Sequence, residues 1–170
     1  MMISIPFSKL EEDIVELDRL NMASYFAAEN RLFDPAIRFD GLRREFADGA
    51  KILQVRRHAK LVAYLEYIPP LDGKFYVPSL QIHPDYLGSS VLRSILIQAA
   101  ECINSWPAAT LRTRVHDQNL KSVRLHQKLG FHRIPSDDKR LHFEISSEVL
   151  KDSLKVFYCN RRYRSSQEIE

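Results

Sequence analysis

The sequence has 170 residues, of which 45% are hydrophobic and 28% charged, with a formal net charge of +3. This length and balance suit one globular domain with one core and exclude a disordered or fibrous chain, and the mild basicity does not by itself indicate a nucleic-acid partner. Two cysteines, Cys102 and Cys159, are too few to stabilise a domain of this size by disulfides, which favours a reducing cytoplasm.

Neither a targeting segment nor a membrane span is predicted from the sequence. The first residues lack a basic stretch followed by an apolar run, and no apolar run approaches the roughly 20 residues that cross a bilayer. The cysteines and the six histidines show no metal-binding spacing. We therefore predict a cytoplasmic protein with no metal, no nucleic-acid partner and no membrane association.

The first half of the chain predicts a strand, two helices and three further strands. They span Ile3–Phe7, then the helices Leu10–Ala28 and Pro35–Ala47, then the strands Lys51–Arg57, Lys60–Ile68 and Lys74–His83. The first helix shows apolar residues at roughly helical spacing, and the second has Pro35 near its first turn and Asp48-Gly49 at its end. The short turn at His58-Ala59 indicates a hairpin. Pro78 lacks the amide that a sheet ladder needs, so it predicts a bulge or a locally unpaired edge.

The second half alternates helices with strands. The predicted elements are the helix Ser89–Ser105, the strand Thr110–Val115, the helix Leu120–Leu129, and a hairpin of Phe131–Ile134 and Arg140–Ile145. Gly130 is a suitable residue to end the second of these helices. Apolar residues in the tail from Glu148 fit a last helix, with a last strand as the alternative.

This order of elements predicts an α/β (α+β) fold in a single domain. The strand–helix–strand unit in the middle implies parallel pairing and the hairpins imply antiparallel pairing, so the sheet is mixed. We expect about six to seven strands flanked by about four helices. Residues 1–147 are assigned to the domain and residues 148–170 to a partly ordered carboxyl-terminal extension.

Two stretches resemble the motifs of one enzyme family. LQIHPDYLGSSVLRSILIQAAE, residues 80–101, is similar to the cofactor motif of GCN5-related N-acetyltransferases, and VHDQNLKSVRLHQKLGFHRI, residues 115–134, is similar to the later motif of that family. With the order of elements, the resemblance covers roughly residues 3–145. It implies an acetyl-CoA or other acyl-CoA co-substrate held in a cleft.

The resemblance places the cofactor pyrophosphate at a loop that leads into a helix, where free backbone amides and the helix dipole favour an anion. The family loop usually reads Q/R-x-x-G-x-G/A. The matching positions here are Leu87, Gly88, Ser89, Ser90, Val91 and Leu92. Leucine replaces the first polar residue, and Ser90 and Leu92 replace the two motif glycines, so a serine-capped helix without a cofactor is the alternative.

The resemblance also assigns residues to the pantetheine arm. In the family, the strand before the loop separates from its neighbour and its backbone pairs with the arm, which corresponds here to Leu80, Gln81 and Ile82. An amide of this stretch is expected to stabilise the thioester oxyanion. Asn119, which is suited to cap its helix, and Ser122 are also assigned to cofactor binding.

Proton transfer has one candidate acid and two candidate bases. The family often places a tyrosine in the later motif as the acid for the leaving thiolate, and the corresponding residue is His126. The family's usual glutamate base corresponds to Tyr76, which is a poor base, so Glu66 on the preceding strand is the substitute candidate, with His83, which lies close to the loop, as the alternative. A surface histidine, a solvated strand face and a water relay are the alternatives.

The predicted function is transfer of an acyl group, expected to be acetyl, from acyl-CoA to an amine of a small molecule or protein. The amine attacks directly in a ternary complex. Two alternatives stay open, a catalytically degenerate binding or regulatory protein of the same fold and an enzyme that uses a carrier-protein thioester. The acceptor is not predicted, and a homodimer is left open.

Overall fold

Five α-helices and six strands form the part of the chain that the computed structural model describes, residues 8–69, 73–87, 89–136 and 140–165. The helices are Lys9–Ala28 (α1), Pro35–Ala47 (α2), Ser89–Asn104 (α3), Leu120–Lys128 (α4) and Ser147–Ser165 (α5). The strands are Lys51–Arg57 (β1), Lys60–Ile68 (β2), Lys74–Ile82 (β3), Thr110–His116 (β4), His132–Ile134 (β5) and Arg140–Ser146 (β6). The predicted strand Ile3–Phe7 lies outside the described residues.

Local sequence signals explain where the helices begin and end. Ser8 and Glu11 form a capping box at the start of α1, and the Asp34 carboxylate accepts from the first amides of α2. Asn119 caps α4 by accepting from the Ser122 amide at 3.1 Å, as predicted. Gly130 follows that helix with a φ of 89°, a left-handed conformation that favours glycine.

The six strands form one mixed sheet in the order β1-β2-β3-β4-β6-β5. Only the central pair, β3 with β4, is parallel, and α3 makes the crossover between these two strands. The predicted mixed α/β fold is confirmed, with five helices in place of the expected four. The predicted tail helix is confirmed as α5.

Strand β3 contains a bulge opposite β2. Glu66 of β2 pairs with Ser79 and Ile68 pairs with Tyr76, so the two residues Val77 and Pro78 lie opposite one residue of β2. The parallel ladder between β3 and β4 ends at Val77 and Thr113, whereas β3 stays paired with β2 as far as Ile82. The predicted irregularity at Pro78 is therefore confirmed, and it coincides with the point where β3 and β4 diverge.

The sheet has a hydrophobic core on each face. On one face, α1 and α2 pack around Ile14, Leu17, Leu42 and Tyr64. On the other face, α3 and α5 cover the larger core, which contains Ile95 and Leu154 among its most deeply buried residues. The chain thus forms three layers, with the divergence of β3 and β4 in the middle layer.

Helix α5 contributes directly to the larger core, because Leu150 and Leu154 are only 4% and 1% exposed. It follows β6 without a break and packs against α3. The assignment of residues 148–170 to a separate extension stays a prediction. It can be tested by replacing one of these buried leucines and measuring the stability of the domain.

Candidate active site

A cleft with a volume of about 150 Å³ opens where β3 and β4 diverge. Its walls come from both strands and from α3 and α4, and its floor includes Leu150 and Leu154 of α5. Met22 of α1 also lines it. The polar residues that line it include Ser79, Gln81, Thr113, Asn119, Ser122 and His126. The cleft therefore joins an apolar interior to a small polar set, as ligand sites commonly do.

The backbone of β3 forms one wall of this cleft. From Pro78 to Ile82 the strand has lost β4 as a ladder partner among the described residues, so that edge faces the opening instead. The predicted residues Leu80 and Gln81 line the cleft, and Ile82 follows them on the strand. A strand edge of this kind can pair with an extended amide-bearing ligand through main-chain hydrogen bonds.

Helix α4 brings three predicted residues to the cleft, Asn119, Ser122 and His126. They share a face because they are spaced three and four residues apart. Since the side-chain oxygen of Asn119 caps the helix, the position of this side chain is fixed by the fold. The arrangement places an amide, a hydroxyl and an imidazole along one wall.

The His126 imidazole is held in one orientation. Its Nδ1 lies 2.7 Å from the Ser122 carbonyl oxygen, which can only accept, and its ring contacts those of Phe131 and Phe143. In the neutral form the proton therefore sits on Nδ1 and the lone pair on Nε2. Burial lowers the pKa of His126, and the hydrogen bond to Ser122 opposes this only in part.

The predicted pyrophosphate positions lie at the start of α3. Val91 is 2% exposed and Leu92 packs against the larger core, so both side chains point away from solvent. Ser90 and Leu87 are exposed. Ser89 is the first residue of the helix, and Gly88 lies outside the described residues.

The predicted base Glu66 is fully buried on the α1 and α2 side of the sheet. One carboxyl oxygen lies 3.2 Å from Arg38 Nη2, and the other has no hydrogen-bond partner among the described residues. Burial and the neighbouring Glu45 carboxylate raise the pKa of Glu66 to about 8. Glu66 itself does not belong to the cleft lining, although its ladder partner Ser79 does.

A buried polar cluster lies beside Glu66, and its central carboxylate, Asp18, was not indicated by the sequence. Asp18 of α1 is 4% exposed, accepts from Arg38 Nε at 2.6 Å and accepts a hydrogen bond from the Tyr64 hydroxyl. Arg38 also binds Glu45 at 2.6 Å. The one available signal was that Asp18 follows Ile14 by four residues, which places a carboxylate on the apolar face of α1.

His116, at the end of β4, lines the cleft and was not indicated by the sequence. Its Nε2 lies 3.1 Å from a Glu29 oxygen, and its Nδ1 accepts from the Gln118 amide at 3.2 Å. The hydrogen bond with His116 lowers the pKa of Glu29. With both ring nitrogens engaged, His116 links β4 to the end of α1 at the rim of the cleft.

Comparison with known proteins identifies the family. The model of the Acetyltransferase (GNAT) family matches residues 14–131, more than half of the chain. The chain belongs to this GNAT family. The match contains most of α1 and all of α2 to α4 and β1 to β4, and so includes nearly all of the residues that line the cleft.

Solved structures of GNAT proteins share the fold. The PaiA N-acetyltransferase of Thermoplasma acidophilum, in complex with coenzyme A, is 17% identical, with a TM-score of 0.62 over 79% of this chain and 91% of that one. The ribosomal-protein-alanine N-acetyltransferase of Brucella melitensis is 17% identical, with a TM-score of 0.59 over 85% and 99%. The yncA protein of Salmonella typhimurium, with its cofactor acetyl-CoA, is 17% identical, with a TM-score of 0.57 over 86% and 95%.

A search of curated protein sequences found no match to the chain. In the ranges that the structure describes, no helix has the length and apolar character to cross a membrane. Within the same ranges, no three histidine, cysteine, aspartate or glutamate side chains are grouped as metal ligands.

Proposed function

We propose that the chain is an acyl-CoA-dependent N-acetyltransferase that moves an acetyl group to an amine of a small molecule or protein by direct attack in a ternary complex. The observation that carries the proposal is the edge of β3 from Pro78 to Ile82, which leaves β4 and faces a cleft. Membership of the GNAT family and the coenzyme A bound by the Thermoplasma acidophilum protein support the choice of co-substrate.

The residues at the start of α3 fit a pyrophosphate despite the missing glycines. Leu92 replaces one motif glycine, but its side chain packs into the core and does not cover the helix start. Ser90, which replaces the other, is small and exposed, so its hydroxyl is available to donate. Anion binding at this position depends on backbone amides and the helix dipole, which these replacements leave in place.

The proposed roles of the predicted residues follow from the walls of the cleft. Leu80, Gln81 and Ile82 offer backbone groups to the pantetheine arm, and an amide of this stretch stabilises the thioester oxyanion. Asn119 and Ser122 contact the same arm from α4. His126, in its protonated form, supplies the proton that the leaving thiolate takes up.

The first experiment measures acetyl-CoA binding by calorimetry on protein shown to be free of bound ligand. Ser90→Glu places a negative charge at the proposed pyrophosphate position, so we expect affinity to fall at least tenfold, about 1.4 kcal/mol. Ser105→Glu places the same charge beyond the other end of α3 and serves as the matched control. No binding to the wild type at millimolar acetyl-CoA would contradict the proposed function.

Turnover then separates an enzyme from a binding protein of the same fold. Release of free thiol from acetyl-CoA is measured with a peptide that has a free amino-terminal alanine, a lysine-containing peptide with a blocked amino terminus, and a series of primary alkylamines. Amine-dependent thiol release is expected with at least one acceptor class. Tight acetyl-CoA binding without release across these acceptors would favour the binding protein.

A further inference from the structure

A chain of hydrogen bonds leads from the cleft into the buried polar cluster. Ser79 lines the cleft, and its Oγ lies 3.0 Å from the Tyr64 hydroxyl. Tyr64 is 0% exposed and its hydroxyl donates to Oδ1 of Asp18. Asp18 itself is held by Arg38 through its other oxygen. The cleft is thus connected to a buried carboxylate through two hydroxyl groups.

The direction of each hydrogen bond in this chain is fixed by its neighbours. The side-chain nitrogen of Asn21 donates to the Ile82 carbonyl oxygen at 3.1 Å and to Gln81 Oε1 at 2.9 Å. Because Gln81 Oε1 accepts, the side-chain nitrogen of Gln81 is the atom that donates to Ser79 Oγ, at 3.2 Å. Ser79 accepts from Gln81, and the Tyr64 proton goes to the carboxylate. The Ser79 proton must therefore point to the Tyr64 oxygen.

We propose that Ser79 and Tyr64 carry a proton from the ammonium group of the acceptor to Asp18. This inference rests on the proposed function, since it needs an amine and a thioester in the cleft. Ser79 Oγ takes a proton from the ammonium as its own proton passes to Tyr64 Oη, and the Tyr64 proton passes to Asp18 Oδ1. Ser79 is then a catalytic residue, and Tyr64 and Asp18 act through it.

The step balances with acyl transfer. The neutral amine nitrogen forms a bond to the thioester carbonyl carbon and the carbon–sulfur bond breaks. His126 gives its proton to the leaving thiolate, which becomes free coenzyme A. The second nitrogen proton, lost as the amide forms, replaces the proton on His126. The proton held by Asp18 returns to solvent after the products leave, which restores the original hydrogen bonds.

The surroundings of Asp18 suit a carboxylate that takes up a proton temporarily. Burial raises the pKa of Asp18, and the Arg38 guanidinium opposes that shift. Arg38 also faces the carboxyl groups of Glu45 and Glu66, so its positive charge is shared among three acidic groups. Among the described residues, Glu66 has no hydrogen bond to Tyr64 or Ser79, whereas Asp18 is connected to the cleft through both.

The test compares Ser79→Ala, Asp18→Asn and Glu66→Gln in single-turnover acetyl transfer. The acceptors are the most reactive alkylamine of the series and methoxyamine, a weak base that is already neutral at pH 7. Ser105→Ala and Asp152→Asn are the matched controls, because both replace exposed side chains outside the cleft lining. Acetyl-CoA affinity and thermal unfolding are measured for every variant.

We expect Ser79→Ala and Asp18→Asn to lower the rate with the alkylamine at pH 7 by roughly 10²-fold, the usual contribution of a positioned proton acceptor. Acetyl-CoA affinity should change by less than about twofold, because proton transfer contributes to the transition state and not to cofactor binding. The loss should shrink as pH rises and the amine loses its proton in solution, and it should be much smaller with methoxyamine. If Asp18→Asn does not fold, Ser79→Ala still tests the relay, because it removes only one hydroxyl group.

Two results would overturn the relay. A loss that is equal for both acceptors and at every pH would indicate a structural role for these residues. Wild-type rates in Ser79→Ala and Asp18→Asn, with a large loss in Glu66→Gln, would assign the proton to Glu66. Both results require a wild type that binds acetyl-CoA and acetylates an amine. A wild type that does neither is a different outcome, and it would contradict the proposed function itself.

Discussion

At the scale of single residues, the His126 side chain combines two properties with opposite effects on catalysis. Its orientation is fixed by Ser122 and by two phenylalanine rings, which suits a proton donor in the cleft. Its lowered pKa means that the neutral form, with a lone pair on Nε2, predominates at neutral pH. In the proposed mechanism, protonation of the thiolate by His126 would therefore draw on a minor cationic form whose population increases as pH falls.

His126→Ala is expected to lower kcat by roughly 10²-fold where His126 is protonated, with acetyl-CoA affinity nearly unchanged. The ratio of wild-type to mutant kcat should rise as pH falls below the ordinary histidine range, since the lowered pKa keeps His126 neutral above it. The measurement is the pH profile of both proteins from single-turnover rates.

Thermal unfolding at each pH is the control for His126→Ala. A histidine whose pKa is lowered by folding contributes stability that is present above its ordinary pKa and lost as pH falls through that range toward the lowered value. The wild type will therefore lose some stability over the same interval. A constant ratio of rates across the profile would remove His126 from proton transfer.

The sequence indicates contacts between residues that are close together in the chain, and it misses a contact between residues that are far apart. Asn119, Ser122 and His126 share one helix face, so their spacing already places them together. Asp18 and Tyr64 are 46 positions apart, and their contact depends on how α1 packs on β2. No local pattern encodes that packing, which is why this chain of hydrogen bonds appears only in the structure.

At the scale of elements, the β1–β2 hairpin has a turn with unfavourable residues. His58 and Ala59 both have positive φ, 49° and 65°, a conformation that costs a residue with a Cβ about 1–2 kcal/mol. Arg56 Nη1 donates to the Ala59 carbonyl oxygen at 2.7 Å and helps to hold the turn. Hairpins of two connecting residues commonly place glycine at such positions.

Ala59→Gly is expected to stabilise the protein by about 0.5–1 kcal/mol, because glycine removes the strain at the cost of some entropy in the unfolded chain. Ala108→Gly, at an exposed loop position without positive φ, is the matched control and should be destabilising or neutral. Urea unfolding of both variants measures the difference. Equal destabilisation by the two changes would contradict the strain at Ala59.

The elements themselves were largely predictable. The predicted bounds of α2, β1 and β2 coincide with those observed, because each is limited by a turn or cap that is visible in the sequence. The bulge at Pro78 was predictable because proline lacks an amide. That β3 leaves β4 at this point, and so opens a cleft, was expected from the family resemblance and not from the residues alone.

At the scale of the whole molecule, the question is whether α5 belongs to the domain. The sequence places residues 148–170 in an extension, since the family resemblance ends near residue 145. The matched family model ends earlier, at residue 131. In the structure, however, Leu150 and Leu154 lie in the larger core and in the floor of the cleft. A helix that supplies core residues on folding is not separable without loss of stability.

Leu154→Ala tests this, because Leu154 is 1% exposed. Loss of a buried leucine side chain costs about 2–5 kcal/mol, which for a domain of this size corresponds to a fall in Tm of roughly 5–15 °C. Val156→Ala, on the same helix at 67% exposure, is the matched control and should stay within about 0.5 kcal/mol. If α5 were a separate extension, the two variants would unfold alike. A single cooperative transition, shifted down only in Leu154→Ala, would show that α5 folds with the sheet and helps to form the floor of the cleft.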